Sequence, residues 1–251
     1  MKKFQRYQEI INILNSYRHV EVKNLAETFN VTEETIRRDL EHLEDQNVLT
    51  RTHGGATLAS RNDLSYYYRS TKNLELKKTI ANKVLDLLKD KETIMVDSSS
   101  TALESIRLLS SKSYSPKIIT NSVNLLYEFS DTDLSLVSTG GNLNKHSGTL
   151  VGAQAIETIK NYYTQAILLS CNTMSNNGFS VGGEEEGLTK KSMLQQGSLV
   201  IMLVDSTKIL NDVTAFFKFA DYNQVDIIVT DKPTLPDEFI PFIERHKIKV
   251  I

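Results

Sequence analysis

Thr32 to Leu40 reads Thr-Glu-Glu-Thr-Ile-Arg-Arg-Asp-Leu, and it limits the possible folds more than any other stretch of the chain. A hydroxyl suited to capping a helix comes first. Two acids that favour the positive end of a helix dipole follow, then a pair of arginines. Leu25, Phe29, Val31, Ile36, Leu40 and Leu43 lay an apolar face through it. Such a helix packs one side on a neighbour and offers the other to a polyanion. Upstream, Val22 to Phe29 predicts a helix with Leu25, Ala26 and Phe29 inward, and small Ala26 lets another helix approach closely. Asn30 tolerates the left-handed conformation that ends a helix. The gap between the two is a few residues, as a helix-turn-helix requires. Tyr7, Ile10, Ile11 and Leu14 recur at i, i+3, i+4, i+7 and predict an earlier amphipathic helix. Val48 to Arg51 predicts a short strand and His53-Gly54-Gly55 a turn, together a wing behind the third helix.

Charge does not by itself draw this chain to nucleic acid. The net charge over 251 residues is -2, and the first 55 carry eight bases against nine acids. DNA binding therefore needs its bases on one face. The candidate DNA-contacting residues are Thr32, Glu34, Thr35, Arg37, Arg38, Arg51, His53 and Gly54. Arg37 and Arg38 at helical spacing from Glu33, Glu34 and Glu41 also fit solvated ion pairs. Behind a tight turn and ahead of a wing, contact with DNA is the better reading. The two point about 100° apart on a helix, so one can reach a base edge while the other holds phosphate. Thr32 reads as a cap first and a contact second.

Thr57 to Ser70 is polar and irregular around Tyr66, Tyr67 and Tyr68, and reads as a linker. From Leu76 the texture changes. Apolar runs at Thr93–Val96, Lys117–Thr120, Leu134–Ser138, Ala166–Leu169, Leu199–Val204 and Asp226–Val229 predict strands. Ala102–Leu109, Val123–Phe129, Thr149–Ile159 and Thr189–Gln196 predict helices between them. This alternation argues an α/β domain with a mostly parallel sheet. The expected domains are a DNA-binding unit over 1–56, a linker over 57–73 and an α/β unit over 74–251.

Several strands run into small or polar residues: Asp97-Ser98-Ser99-Ser100-Thr101, Thr120-Asn121-Ser122, Ser138-Thr139-Gly140-Gly141, Asp205-Ser206-Thr207-Lys208 and Thr230-Asp231. In an open parallel sheet these ends border the ligand crevice. Ser98 to Thr101 precede a helix, where hydroxyls and backbone N–H groups cradle an anion. Lys208 and Lys190 are candidate countercharges, and Asp97 and Asp205 candidate acceptors for hydroxyls. Phosphate donors beside carboxylates suit a phosphorylated sugar or polyol. For any single segment, capping the next helix is the plainer reading. Five together point to a site.

Both halves resemble the DeoR-type family of bacterial transcriptional regulators. Val31 to Leu40 is similar to the family's helix-turn-helix signature, with Leu43-Glu44 and the His53-Gly54-Gly55-Ala56 wing in place. The second half resembles its sugar-phosphate sensor domain, related in fold to ribose-5-phosphate isomerase. Lys77, Ile80 and Ala81 match its opening helix, and Asp97 to Thr101 lies where the family has Asp-Ser-Gly-Thr-Thr. Thr120-Asn121-Ser122, Gly140-Gly141, Gly152, Glu186 with Lys190 and Met193, Asp205 with Lys208, and Thr230-Asp231 match further landmarks. The resemblance implies a winged helix-turn-helix followed by a Rossmann-like α/β sensor. It implies a repressor of a carbohydrate operon, released from operator DNA by a phosphorylated sugar. The effector-binding set it implies is Asp97, Ser98, Ser99, Ser100, Thr101, Asn121, Ser122, Gly140, Gly141, Lys190, Asp205 and Lys208. Two departures stand out. Ser99 replaces a glycine, and a side chain there narrows backbone approach and disfavours positive φ, so a different or more weakly bound effector is expected. Cys171 to Ser180 replaces a glycine-rich, acidic segment.

The alternative is a sugar-phosphate isomerase with an appended DNA-binding domain, in which Asp97, Asp205 and Lys208 move protons. A further reading is ungated DNA binding with a large domain that only oligomerises. His19, His42, His146 and His246 have no metal-ligand spacing with each other or with Cys171, so no metal is assigned, and with no Gly-x-Ser-x-Gly elbow or Walker-type loop no catalytic residue or cofactor is assigned either. A lone cysteine excludes an intrachain disulfide and fits a reducing compartment. Met1 to Ile11 lacks the apolar core of a signal peptide, and no run is long enough to span a bilayer, so the expected location is the cytoplasm. A homodimer or homotetramer is expected, because two-fold symmetry doubles the base contacts of one winged module.

Overall fold

The computed structural model describes residues 3–45, 48–58, 66–112, 114–210 and 215–251. The chain forms two compact units, Met1–Lys72 and Asn73–Ile251.

In the first unit, helices α1 (Lys3–Tyr17), α2 (Val22–Phe29) and α3 (Glu33–Asp45) enclose a small core. Tyr7, Ile10, Ile11 and Leu14 from α1 meet Leu25, Ala26, Ile36, Leu40 and Leu43, all buried. Asn30 ends α2 at φ 51, ψ 52, and only Asn30, Val31 and Thr32 separate α2 from α3. The wing is a sheet of β1 (His19–Glu21), β2 (Leu49–Thr52) and β3 (Gly55–Leu58), with β3 in the middle. β1 escaped the sequence reading because it is three residues long and only Val20 turns inward.

The irregular linker is corrected at both ends. β3 runs through Thr57 to Leu58, and Tyr66–Thr71 forms helix α4. Two residues apart on a helix, Tyr66 and Tyr68 point to different sides. Tyr68 is wholly buried in the first unit's core, while Tyr66 is half-buried. Residues 59–65 of the expected linker lie outside the described residues.

The second unit opens with α5 (Leu74–Leu88), and then strands and helices alternate. They are β4 (Thr93–Val96), α6 (Ser100–Ser110), β5 (Lys117–Thr120), α7 (Val123–Glu128) and β6 (Ser135–Ser138). A hairpin of β7 (Asn142–Asn144) and β8 (Thr149–Val151) leads into α8 (Ala153–Lys160). β9 (Ala166–Ser170), β10 (Thr173–Ser175), β11 (Gly178–Val181), α9 (Glu184–Met193), β12 (Val200–Leu203) and β13 (Phe217–Ala220) follow. β14 (Ile227–Val229), α10 (Ile240–His246) and β15 (Lys249–Val250) complete the unit. Seven strands form a sheet in the order β15-β14-β12-β9-β4-β5-β6. Every neighbouring pair in it is parallel. Its central strands are near-continuous apolar runs because both faces are covered. The chain runs from β4 outward to β6, then returns to β9 on the other side of β4, so the strand order reverses between β4 and β9.

Two expected helices are corrected. Thr149 to Val151 is strand β8, and α8 starts only after Gly152, whose φ of 92 interrupts the run. α9 begins at Glu184 and ends at Met193, because its first turn is three acids with no apolar period to read. The sequence reading did not find β7, β8, β10, β11, β13 or β15; the first five pair antiparallel outside the seven-stranded sheet, and β15 is only two residues long. Among the described residues, no helix is long and apolar enough to cross a membrane.

Candidate functional site

On α3, the Thr32 hydroxyl accepts from the Thr35 amide at 3.2 Å, so Thr32 caps the helix. Thr35 is half-buried and lies 2.9 Å, oxygen to oxygen, from the Thr32 hydroxyl. Arg37 pairs with Glu33 at 2.8 Å and Arg38 with Glu34 at 3.1 Å, all four exposed. Exposed pairs of this spacing contribute only about 0.3–0.5 kcal/mol, so a phosphate can displace them. Arg51 on β2 faces back toward Glu41 and Glu44, each 3.9 Å away, and its amide donates to Glu44 at 2.8 Å. The wing arginine is thus drawn toward α3. His53 and Gly54 are exposed at the hairpin turn, and the Gly54 carbonyl accepts from Val22 N–H at 2.9 Å. The structurally demanding glycine is its neighbour: a Cβ on Gly55 would stand 1.8 Å from the Val20 carbonyl oxygen.

In the second unit the topological switch lies where the carboxyl ends of β4 and β9 part, which is where open α/β sheets bind ligands. Asp97 stands there, 1 % exposed. One of its oxygens accepts the Ser99 N–H at 2.9 Å. The other accepts the Ser170 N–H at 2.8 Å and a close bond from Lys190 of α9. Lys190 is itself 1 % exposed and lies 3.5 Å from Glu186. Asp97 and Lys190 are therefore committed to each other, and neither is the open acceptor or open cation that the sequence suggested.

The available groups are Asp205 and Lys208. Lys208 Nζ donates to the Ser170 hydroxyl at 3.0 Å, and that hydroxyl donates to the Leu203 carbonyl at 2.7 Å. Lys208 is 3.4 Å from Asp205 Oδ2, an ion-pair separation longer than a good hydrogen bond. Among the described residues, that buried oxygen has no hydrogen-bond donor. Burial alone would raise the Asp205 carboxyl, but Lys208, the Thr207 hydroxyl and Lys77 outweigh it and hold it below the usual carboxylate range. A depressed folded-state value adds stability above the unfolded-state pKa near ~3.9, lost as pH falls toward the folded value. The melting temperature of the wild type is therefore expected to fall more steeply below about pH 4 than that of Asp205→Asn. Parallel curves down to acid unfolding would remove this role.

The hydroxyl loop is tied in from both sides. Thr149 donates to Ser98 at 2.7 Å, and Asn121 Nδ2 donates to the Leu150 carbonyl at 3.2 Å. Ser99 and Ser122 cap α6 and α7, accepting from Ala102 and Leu125 at 3.2 Å each. Ser99 sits at φ -74, ψ 144. The expected penalty of a side chain there is thus corrected: the backbone needs no positive φ, and the hydroxyl serves as a cap. Ser100 is buried in the first turn of α6. Thr101 Oγ1 in the first turn of α6, and Asn121 Oδ1 and Thr230 Oγ1 just past β5 and β14, are buried without hydrogen-bond partners among the described residues. Gly140 and Gly141 follow β6. Both have positive φ, and a Cβ on Gly141 would meet the Val151 carbonyl oxygen at 2.5 Å.

Sequence reasoning passed over Ser170, Thr149 and Lys77 as site residues. Ser170 follows the same rule as the other polar strand ends. Lys77 interrupts the apolar stripe of Ile80, Ala81 and Val84 on α5 and is buried, which is a readable signal. Asn73, just before α5, donates to Thr207 at 3.0 Å. Burial pushes the Cys171 thiol up to about 12 against the pull of Lys208 and Lys190, so it is inert as a nucleophile. Among the described residues, no cluster of histidine, cysteine or carboxylate side chains is suited to a metal.

A DeoR-like helix-turn-helix domain model matches residues 6–62, and a DeoR C terminal sensor domain model matches residues 72–232. The chain belongs to the DeoR family. Among DeoR-family relatives, the HTH-type transcriptional repressor GlcR of Bacillus subtilis is 30% identical over 98% of this chain and 95% of its own length. The glycerol-3-phosphate regulon repressor of Escherichia coli is 27% identical over 100% of this chain and 99% of its own. Among solved structures, ribose 5-phosphate isomerase A from Methanocaldococcus jannaschii has a TM-score of 0.42 at 18% identity, over 55% of this DeoR-family chain and 56% of that one. The translation initiation factor eIF-2B from Pyrococcus horikoshii has a TM-score of 0.49 at 13% identity, over 88% and 86%. Neither likeness bears on function.

Proposed function

We propose that this protein is an operator-binding repressor of a carbohydrate operon, released when its second unit binds a phosphorylated sugar. The observation that carries this reading is the switch-point cluster. It sets a partly exposed cation, Lys208, and an open buried acceptor, Asp205, beside the hydroxyl-rich start of α6. A phosphoryl group suits Lys208 and the α6 N-terminus, with sugar hydroxyls donating to Asp205 and Asn121. On DNA, Arg37 and Arg38 with Thr35 face the major groove, Thr32 and Glu34 support the start of α3, and Arg51, His53 and Gly54 meet the backbone from the wing. Two copies read the two halves of an operator.

The cluster favours binding over turnover. Asp97 is engaged by two amides and a lysine, and Asp205, held below the usual carboxylate range by Lys208 against the effect of burial, suits a hydrogen-bond acceptor better than a base tuned toward neutral pH. The relatives named as repressors agree with that.

The test has two stages. Duplexes selected from a random pool by the full chain give the operator, and a panel of free and phosphorylated sugars is then screened for release. One phosphorylated sugar at about 100 times its dissociation constant should stabilise the protein by roughly 2.7 kcal/mol. It should also weaken operator affinity, with its free sugar silent and Lys208→Ala insensitive. Operator binding indifferent to every phosphorylated sugar would overturn the gating.

A further inference from the structure

Ile36, Asp39, Leu40 and Leu43 mark the inward stripe of α3 at i, i+3, i+4 and i+7, and all four are buried. One of them is a carboxylate, 2 % exposed. Its partner is Arg6 on α1, 7 % exposed. The fork is bidentate: Nε donates to Oδ2 in a close bond, and Nη2 donates to Oδ1 at 3.0 Å. A charge on the core face of a short helix is costly to desolvate. A matched apolar pair would usually hold the two helices as well or better. Stability therefore does not account for the pair.

Direction does. An apolar stripe decides which side of a helix faces inward but leaves small changes of angle to side-chain repacking, because each dispersion contact is weak and non-directional. A planar guanidinium gripping both oxygens of one carboxylate does not. Arg38 and Arg37 lie one and two residues before Asp39, so fixing Asp39 inward fixes the angle at which both leave the helix. The neighbouring Tyr7–His42 stack, centroids 4.9 Å apart, joins the same two helices without that constraint.

We infer that Arg6 and Asp39 are a positioning pair for sequence recognition, setting the rotational phase of α3 that aims Arg37 and Arg38 at the DNA. This rests on the operator-binding reading above and adds residues that touch no DNA themselves.

The experiment uses the full chain and duplexes selected by the wild type, with a shuffled duplex as the non-specific probe. The apolar pair Arg6→Met with Asp39→Leu is expected to keep its helix content and melting temperature. Its ratio of specific to shuffled affinity should fall by about tenfold, the cost of one misread base pair. An unchanged ratio in the folded variant would overturn the inference. If that variant does not fold, Arg6→Lys decides, since it keeps the charge and loses the fork. A lowered ratio with the fold intact supports the pair's role, and an unchanged ratio overturns it. Collapse of Arg6→Lys as well would also overturn it, since the pair would then hold the fold rather than the phase. Failure of the wild type to select any sequence would instead remove the operator-binding reading, and this inference with it.

Discussion

Lys190→Met is expected to destabilise the second unit by about 3–5 kcal/mol, the cost of stripping one partner from a buried ion pair. Asp97 would be left charged at 1 % exposure with only the Ser99 and Ser170 amides to hold it. Those two bonds place the effect toward the lower end, about 3 kcal/mol, or roughly 6–12 °C in melting temperature for a unit of this size. Adding Asp97→Asn should restore a large part of the loss, since the uncompensated charge goes with it. Thermal unfolding of the two variants checks both statements. A single variant melting within about 2 °C of wild type would show that the pair is not buried as described.

Gly55→Ala should disable the wing while Gly54→Ala leaves it intact. A Cβ at 55 meets the Val20 carbonyl oxygen at 1.8 Å and its carbon at 2.8 Å, and both are backbone atoms of β1. β1 pairs with β3 through Val20↔Ala56 and Glu21↔Gly55, so the strand must move away and that pairing is lost. The expected cost is about 3 kcal/mol, the upper end for overpacking at a rigid site. At Gly54 a Cβ has nothing within 4 Å, and the change should stay within about 0.5 kcal/mol. Unfolding of the two variants side by side is the measurement. Equal effects would refute the close approach of β1 to the turn.

The framework of both units is legible in short windows of sequence. Thr32 as a cap, Asn30 as a left-handed stop and the apolar spacing of Leu25, Ile36, Leu40 and Leu43 are local signals, and each describes what the chain does there. The alternation of apolar runs with helical stretches is likewise local, and it leads to a parallel sheet because crossover helices join successive strands. The strands that escaped notice are short pieces such as His19–Glu21 and Lys249–Val250, which have no period of their own and exist only through pairing with distant partners.

Side-chain roles divide the same way. Position already marked Asp97, Asp205 and Lys208 as charges past strand ends, with Lys190 on a helix as a candidate countercharge. Which of them are spent on each other was beyond it. Lys190 reads from sequence as a countercharge for the site, yet its close partner is the buried Asp97, 93 residues away in sequence. Asp39 counts from sequence as one more acid repelling DNA, yet it is turned into the core against Arg6, 33 residues away. Periodicity and capping depend on neighbours along the chain, so this sequence determined its helices, its parallel sheet and its two-part plan. The partner of a buried charge depends on which distant segments the fold brings within about 3 Å, and only the tertiary structure decided that.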